Sequence, residues 1–341
     1  MNNEVWRKAQ ILAHLDGDPP RRPGAISVNS PEEARKVVDE QKQKGADFIK
    51  VYDLLTRDVY FAIMDESRRQ QISVAGHVPF AISAWEASAA KQKSIEHLRQ
   101  VPLACSSREE ELWPKVAASK SRTDWLQLMT EANRSYSDAK CQRLFAEFRK
   151  NGTWVVPTIT VGQASSMMND PHFLSDDRLR YFGSDYRPWL APKEDPRKAR
   201  TAEDFAMERE SVAYKKKVVG AMFGAGVPLL AGTDAGNPYC FPGFSLHDEL
   251  VLMVESGVSP LGALQAATLN AAIFMGASDK YGSVTQGRIA DLVLLYADPL
   301  ADIHNTKKIA EVFLAGKELD RAALDQMLRN AEAAAGAASA R

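Results

Sequence analysis

The sequence predicts an α/β protein built from parallel strand–helix units. Three observations carry this expectation. Short apolar runs alternate with amphipathic stretches of helical period from residue 10 to residue 273. Six strand candidates recur in the order strand, turn, helix, as crossover connections in a parallel sheet require. Two long polar excursions, about 107–150 and 161–200, each follow a strand. They therefore belong at strand C-terminal ends, the face on which a β/α barrel builds its sites.

Gln10–His14 (QILAH) is the first strand candidate. Ser30-Pro31-Glu32-Glu33 then opens a helix, with Ser30 as N-cap, Pro31 at the first position and Glu33 as the box acid. Gly45 closes it. Asp47–Tyr52 (DFIKVY) is a buried-type strand, followed by a helix from Thr56 to Gln70. Ile72–His77 (ISVAGH) is a strand, Ala81–Ala90 a helix and Ser94–Leu98 (SIEHL) a short strand. The excursion at 107–150 reads as helical. Thr153–Thr160 (TWVVPTIT) is a strand, and 161–200, rich in Pro, Asp and Arg, is a loop. A helix spans 202–225, Pro228–Gly232 (PLLAG) is the last strand of the series, and helices follow near 245–256 and 260–273. Beyond residue 281 the pattern changes. Ile289–Tyr296 and Ile309–Ala315 have no long helix between them and fit a small antiparallel sheet. The predicted organisation is therefore a β/α domain over 1–281, part of a β-domain over 282–320 and a helical, Ala-rich tail over 321–341.

The 341 residues carry 43 basic and 44 acidic side chains, a formal net charge of −1. That balance gives no footprint for nucleic acid. No run approaches the roughly 20 apolar residues of a membrane span. The N-terminal segment lacks a signal-like apolar core, which points to the cytoplasm by default. Cys105, Cys141 and Cys240 are far apart and odd in number, with no C-x-x-C. They argue against a disulfide framework and for a reducing compartment or indifference to redox state.

Four polar residues end the apolar strands: Lys50 in FIKVY, His77 in SVAGH, His97 in SIEHL and Asp234 in LLAGTDAG. A single His at a strand end is usually a hydrogen-bonded surface or core residue, and a single Lys there usually forms a salt bridge. Four at equivalent places of one repeating architecture converge on one rim. Imidazole and carboxylate are ligands for Zn²⁺ and related divalent ions. A protonated lysine would repel a cation, but one carboxylated by CO₂ becomes an anionic carbamate. Weaker candidates for contacting substrate are His247 in GFSLHDEL, Tyr52 on the face of Lys50, and Arg99 just beyond His97. For each, a packing or surface role is the ordinary alternative. His14, His172 and His304 have no supporting context.

The set GADFIKVY, VAGHV, SIEH and LLAGTDAG, with the later GRIADLVLL-x-x-DP, resembles the amidohydrolase superfamily, and within it the imidazolonepropionase-like enzymes and prolidase-type dipeptidases. The resemblance runs from Gly24 to Gly316 and implies a TIM-like (β/α) barrel with a small β-sandwich domain. It implies that Lys50 carries a CO₂-derived carbamate bridging two metals and that His77 and His97 bind the second. It implies that Asp234 binds the first metal and handles the proton of a metal-activated water. The implied reaction is hydrolysis of an amide or peptide C–N bond in a dipeptide or N-acyl amino acid; opening of a cyclic amide or imidazolone ring would use the same residues.

One departure matters. The family's first strand ends in His-x-His, and no such pair occurs here. The resemblance places Gln10–His14 at the third barrel strand, so the first two strands and the partners of the C-terminal sheet would be absent. Expectations follow: an N-terminally truncated barrel, unpaired edges inviting homo-oligomer formation, exposed apolar residues such as Leu292, Val293 and Leu294, and one intact metal position beside one lacking ligands. A catalytically impaired fragment is the non-enzyme alternative.

Overall fold

The computed structural model describes residues 10–13, 25–119, 122–183 and 200–339. His14 lies outside them. The chain divides into two compact units, Met1–Pro157 with Gly224–Pro228, and Thr158–Phe223 with Leu229–Arg341.

In the first unit, β1 (Gln10–Ala13), β2 (Ala25–Ser27), β3 (Phe48–Val51) and β4 (Ser73–Gly76) form an all-parallel sheet in the order β2-β1-β3-β4. Strand β2 has no counterpart in the apolar pattern. β5 (Ser94–Glu96) and β6 (Trp154–Val156) form a second parallel pair. The amide of Lys93 donates to Val74 O at 2.7 Å, so the start of β5 runs on from β4. Helix α1 (Pro31–Gln43) starts as the capping residues dictate: the Ser30 hydroxyl accepts from Glu33 N, and Glu33 reaches back to Asn29 N at 2.7 Å. Helix α2 is Arg57–Arg69, and α3 (Ala84–Ala89) carries a complete Ser83/Glu86 capping box. Between β5 and β6 the excursion is helical, as its composition predicts: α4 (Val101–Ala104), α5 (Glu109–Ala117), α6 (Arg122–Arg134) and α7 (Asp138–Asn151).

Cys105 and Cys141 form a disulfide, with Cα atoms 4.6 Å apart and a sequence separation of 36. This corrects the expectation drawn from their sequence spacing. The α5–α6 segment folds back on itself, so the end of α4 meets the start of α7, and Ser137 N donates to Cys105 O at 2.8 Å.

The second unit holds α8 (Ile159–Ser166), α9 (Pro171–Leu174), a 3₁₀ turn (Asp177–Tyr181), α10 (Ala202–Gly224), α11 (Ser245–Glu255), α12 (Pro260–Ala267) and α13 (Leu269–Phe274). Two expectations fail here. The strand expected at Thr153–Thr160 stops at Val156, and α8 begins at Ile159, so the segment after it is not a plain loop. At 228–232 no strand forms; Pro228 O accepts from Val155 N at 3.0 Å without a ladder. β7 (Leu292–Leu295), β8 (Ile309–Leu314) and β9 (Lys317–Leu319) make the expected antiparallel sheet, with one more strand than the pattern indicated. Val293 and Leu294 are 56% and 52% exposed, so this sheet leaves an apolar surface open. Helix α14 (Arg321–Ser339) closes the described chain.

Candidate metal centre

The strand ends of the first unit bring three predicted residues together. Lys50 lies in β3, level with Ala75 of β4. His77 follows β4 and keeps its ladder, its amide donating to Val51 O at 3.0 Å. That approach requires Gly76: at φ +121° a Cβ there would meet Val51 O at 2.4 Å. His97 follows β5, its amide bonded to Val156 O at 2.9 Å.

The rings of His77 and His97 stand edge to face with centroids 4.7 Å apart. His77, Glu96 and His97 each offer a ligand atom, all within 4.8 Å of one another. Glu96 was not foreseen. In a regular strand, neighbours point to opposite faces. Here the chain leaves β5 at His97 with φ 59°, followed by φ 56° at Leu98 and 62° at Gln100. This left-handed run brings the ligand atoms of adjacent residues onto one side. Such backbone costs energy for non-glycine residues and concentrates at functional sites. The Lys50 amine sits 2.6 Å from Glu96 Oε2.

His77 is 2% exposed. Burial pushes its imidazole below the usual histidine range, against the pull of a hydrogen bond to Asp53 and with help from Arg99. A neutral ring is the ligating form. Its Nδ1 lies 2.8 Å from Asp53 Oδ1, and the proton donated there leaves the Nε2 lone pair for a cation. Arg99 approaches Asp53 Oδ2 at 3.3 Å, while its own Nε is buried with no hydrogen-bond partner. Tyr52 stacks on the His77 ring at 4.1 Å. Asp53 is the second residue absent from the sequence reading; its only signal is its place just past the Lys50 strand.

Two imidazoles and a carboxylate within 4.8 Å suit a divalent cation of the zinc class.

Asp234 and His247 lie in the second unit. Asp234 has φ 47°, and the Asn237 amide donates to its backbone oxygen at 2.9 Å and its carboxylate at 2.7 Å. His247 Nδ1 is 3.0 Å from the Thr306 hydroxyl, and burial lowers its basicity, with Lys307 adding to the effect.

The amidohydrolase family model matches residues 206–319. A bottromycin amidohydrolase of known structure superposes with a TM-score of 0.72 at 25% identity, covering 96% of this chain and 67% of that one. The family match and the shared fold support a place for the chain in the amidohydrolase superfamily. Within that superfamily, the imidazolonepropionase of Flavobacterium psychrophilum is 24% identical over 218 residues, which is 61% of this chain and 50% of the relative. That of Deinococcus radiodurans is 37% identical over 99 residues, 28% of this chain and 24% of the relative. A Xaa-Pro dipeptidase structure shares the amidohydrolase fold at TM-score 0.59 and 19% identity, covering 91% of this chain and 66% of that one. The chain thus spans half or less of the length of these two curated relatives. No described helix is long and apolar enough to cross a membrane.

Proposed function

We propose that this amidohydrolase chain takes part in metal-dependent hydrolysis of an amide or peptide C–N bond, with a dipeptide or N-acyl amino acid as substrate. The observation that carries the proposal is the convergence of His77, Glu96 and His97. In this reading His77, His97 and Glu96 hold a Zn²⁺ or similar divalent ion. When bound, that ion supplies Lewis acidity toward the scissile carbonyl and toward water. Asp53 keeps the His77 ring in place. Lys50, carboxylated by CO₂, adds an anionic oxygen donor beside Glu96 and exchanges its ion pair for a place in the ligand set. Arg99, paired with Asp53, is a candidate to hold a substrate carboxylate, and Tyr52 packs against His77. Asp234, named on its LLAGTDAG motif, accepts a proton from water and returns it to the leaving nitrogen. His247 is a further candidate for substrate contact.

The similarity to imidazolonepropionases favours a second substrate class, cyclic amides, which the same residues would open. The deciding experiment measures bound metal and turnover together. The purified chain is loaded with zinc and isotope-labelled bicarbonate, then assayed against linear dipeptides, N-acyl amino acids and cyclic amides. The proposal expects zinc retention lost in His77→Ala and His97→Ala, weakened in Glu96→Gln, and a carbamate signal lost in Lys50→Arg. Zinc retention indifferent to His77 and His97 would end it.

A further inference from the structure

The segment after His97 carries a feature that the metal centre does not explain. Cys105 caps α4 and Cys141 lies in the first turn of α7; both are fully buried. Their bond closes a loop containing α5 and α6. In the closed lobe Leu112, Val116 and Ala132 form a small core with Leu103 of α4, packed by Trp113 and Trp125. Its neck is reinforced: Ser107 N donates to Ser135 O at 2.8 Å, and Lys140 Nζ to Ser106 O at 3.0 Å.

This lobe is tied to the loop that follows His77. The Trp113 indole N–H donates to Phe80 O at 2.9 Å, and Phe80 N donates to Asp53 O at 2.9 Å. Asp53 is the residue that holds the His77 ring. From the other end, α4 begins directly after the left-handed run His97, Leu98 and Gln100. The disulfide therefore anchors both chain ends of a lobe that touches the supports of both histidines.

We propose that Cys105–Cys141 is a structural clamp, formed as the chain matures in an oxidising compartment, that holds the α5–α6 lobe on the His77 loop. The clamp makes the order of that loop depend on redox state. Formation balances simply. One cysteine thiolate attacks the disulfide of an oxidised thiol–disulfide carrier, such as glutathione disulfide or an oxidoreductase, and a mixed disulfide forms. The second thiolate displaces the carrier. The two cysteines lose two protons and two electrons, and the carrier leaves as reduced thiol. Disulfides of this buried kind persist where the surroundings are oxidising, which runs against the reducing compartment that cysteine spacing suggests. Cys240 is buried in the second unit and takes no part.

The test uses the full chain produced in an oxidising and in a reducing compartment. In the oxidised protein, denatured without reductant, only Cys240 should react with a thiol reagent. Reduction should speed proteolytic cleavage within residues 106–140 about tenfold or more, as the lobe opens. Glutathione disulfide should restore protection to the reduced wild type but not to Cys105→Ser/Cys141→Ser. Reaction of all three cysteines in the protein from the oxidising compartment overturns the proposal, as does equal cleavage of oxidised and reduced chain. Zinc retention, expected to fall on reduction, is the only readout that rests on the metal reading. Its failure with the protease result intact would count against that reading and leave the clamp standing.

Discussion

The two compact units treat buried polar groups in opposite ways. In the first, the strand ends collect His77, Glu96, His97 and Lys50, with donor atoms facing one another. In the second, the most deeply buried acid is Glu249, with no exposure, and its carboxylate is spent on the backbone. Its two oxygens accept from Ile159 N at 2.9 Å and Thr160 N at 2.8 Å, the first amides of α8. Nearby, Asp248 answers both Arg178 and Lys307, and Glu208 answers Arg200. Burial alone therefore does not mark a site. What separates the units is the kind of atom that converges: in the first, two imidazoles and a carboxylate face one another, whereas these carboxylates of the second end on backbone amides or on Arg and Lys.

The largest expected effect tests that distinction directly. Replacing His77 by Ala should weaken zinc binding a hundredfold or more, because it removes one of the proposed ligands. Glu249→Gln, in the other unit, should leave zinc binding unchanged. Competition with a chromogenic chelator measures both. Equal losses would erase the contrast between the units.

Gly76→Ala comes next. The added methyl would collide with Val51 O at 2.4 Å on a backbone at φ +121°. The variant should lose on the order of 3 kcal/mol or more of stability, since neither the strand pairing nor the left-handed backbone can accommodate it. Urea unfolding reads the loss. Gly152→Ala makes a useful control: its φ is +70°, and nothing lies within 4 Å of an added Cβ. Its cost should be confined to the backbone term of about 1 kcal/mol. Similar costs at the two positions would show that the close approach of β4 to β3 does not hold His77 in place.

Much of the first unit was legible because its signals are local. Ser30-Pro31 starts α1, Ser83/Glu86 starts α3, and apolar runs mark β3, β4 and β5. Lys50, His77 and His97 were visible as polar ends of those runs. What escaped depends on partners distant in sequence or on backbone reversals. Glu96 joins His97 only because the chain turns left-handed at its neighbour. Cys105 meets Cys141 only because α5 and α6 double back. The run Thr153–Thr160 reads as one β-branched strand, yet Pro157 and a left-handed Thr158 (φ 44°) end it. The helix that follows gains its cap from Glu249, 90 residues away. Propensity lost there to a tertiary hydrogen bond that no local pattern encodes.

That cap also sets the smallest of the expected effects and gives it a sign. Burial lifts the Glu249 carboxyl from 4.5 to about 7, against the opposing pull of the two α8 amides. A carboxyl whose pKa is higher in the folded than in the unfolded state holds its proton more tightly when folded. Its contribution to stability is complete below about pH 4.5 and is lost as pH rises through about 7. The second unit should therefore weaken between about pH 5 and pH 8, by roughly 3 kcal/mol at most. Glu249→Gln, which keeps an acceptor for one amide and cannot ionise, should flatten that slope while lowering stability near pH 5 by about 1 kcal/mol. The measurement is the urea midpoint across this range for both proteins. A wild-type midpoint that rises with pH and falls back in the variant would mean that the two amides outweigh burial. Glu249 would then be a charged cap throughout, held by the partial positive charge at the start of α8.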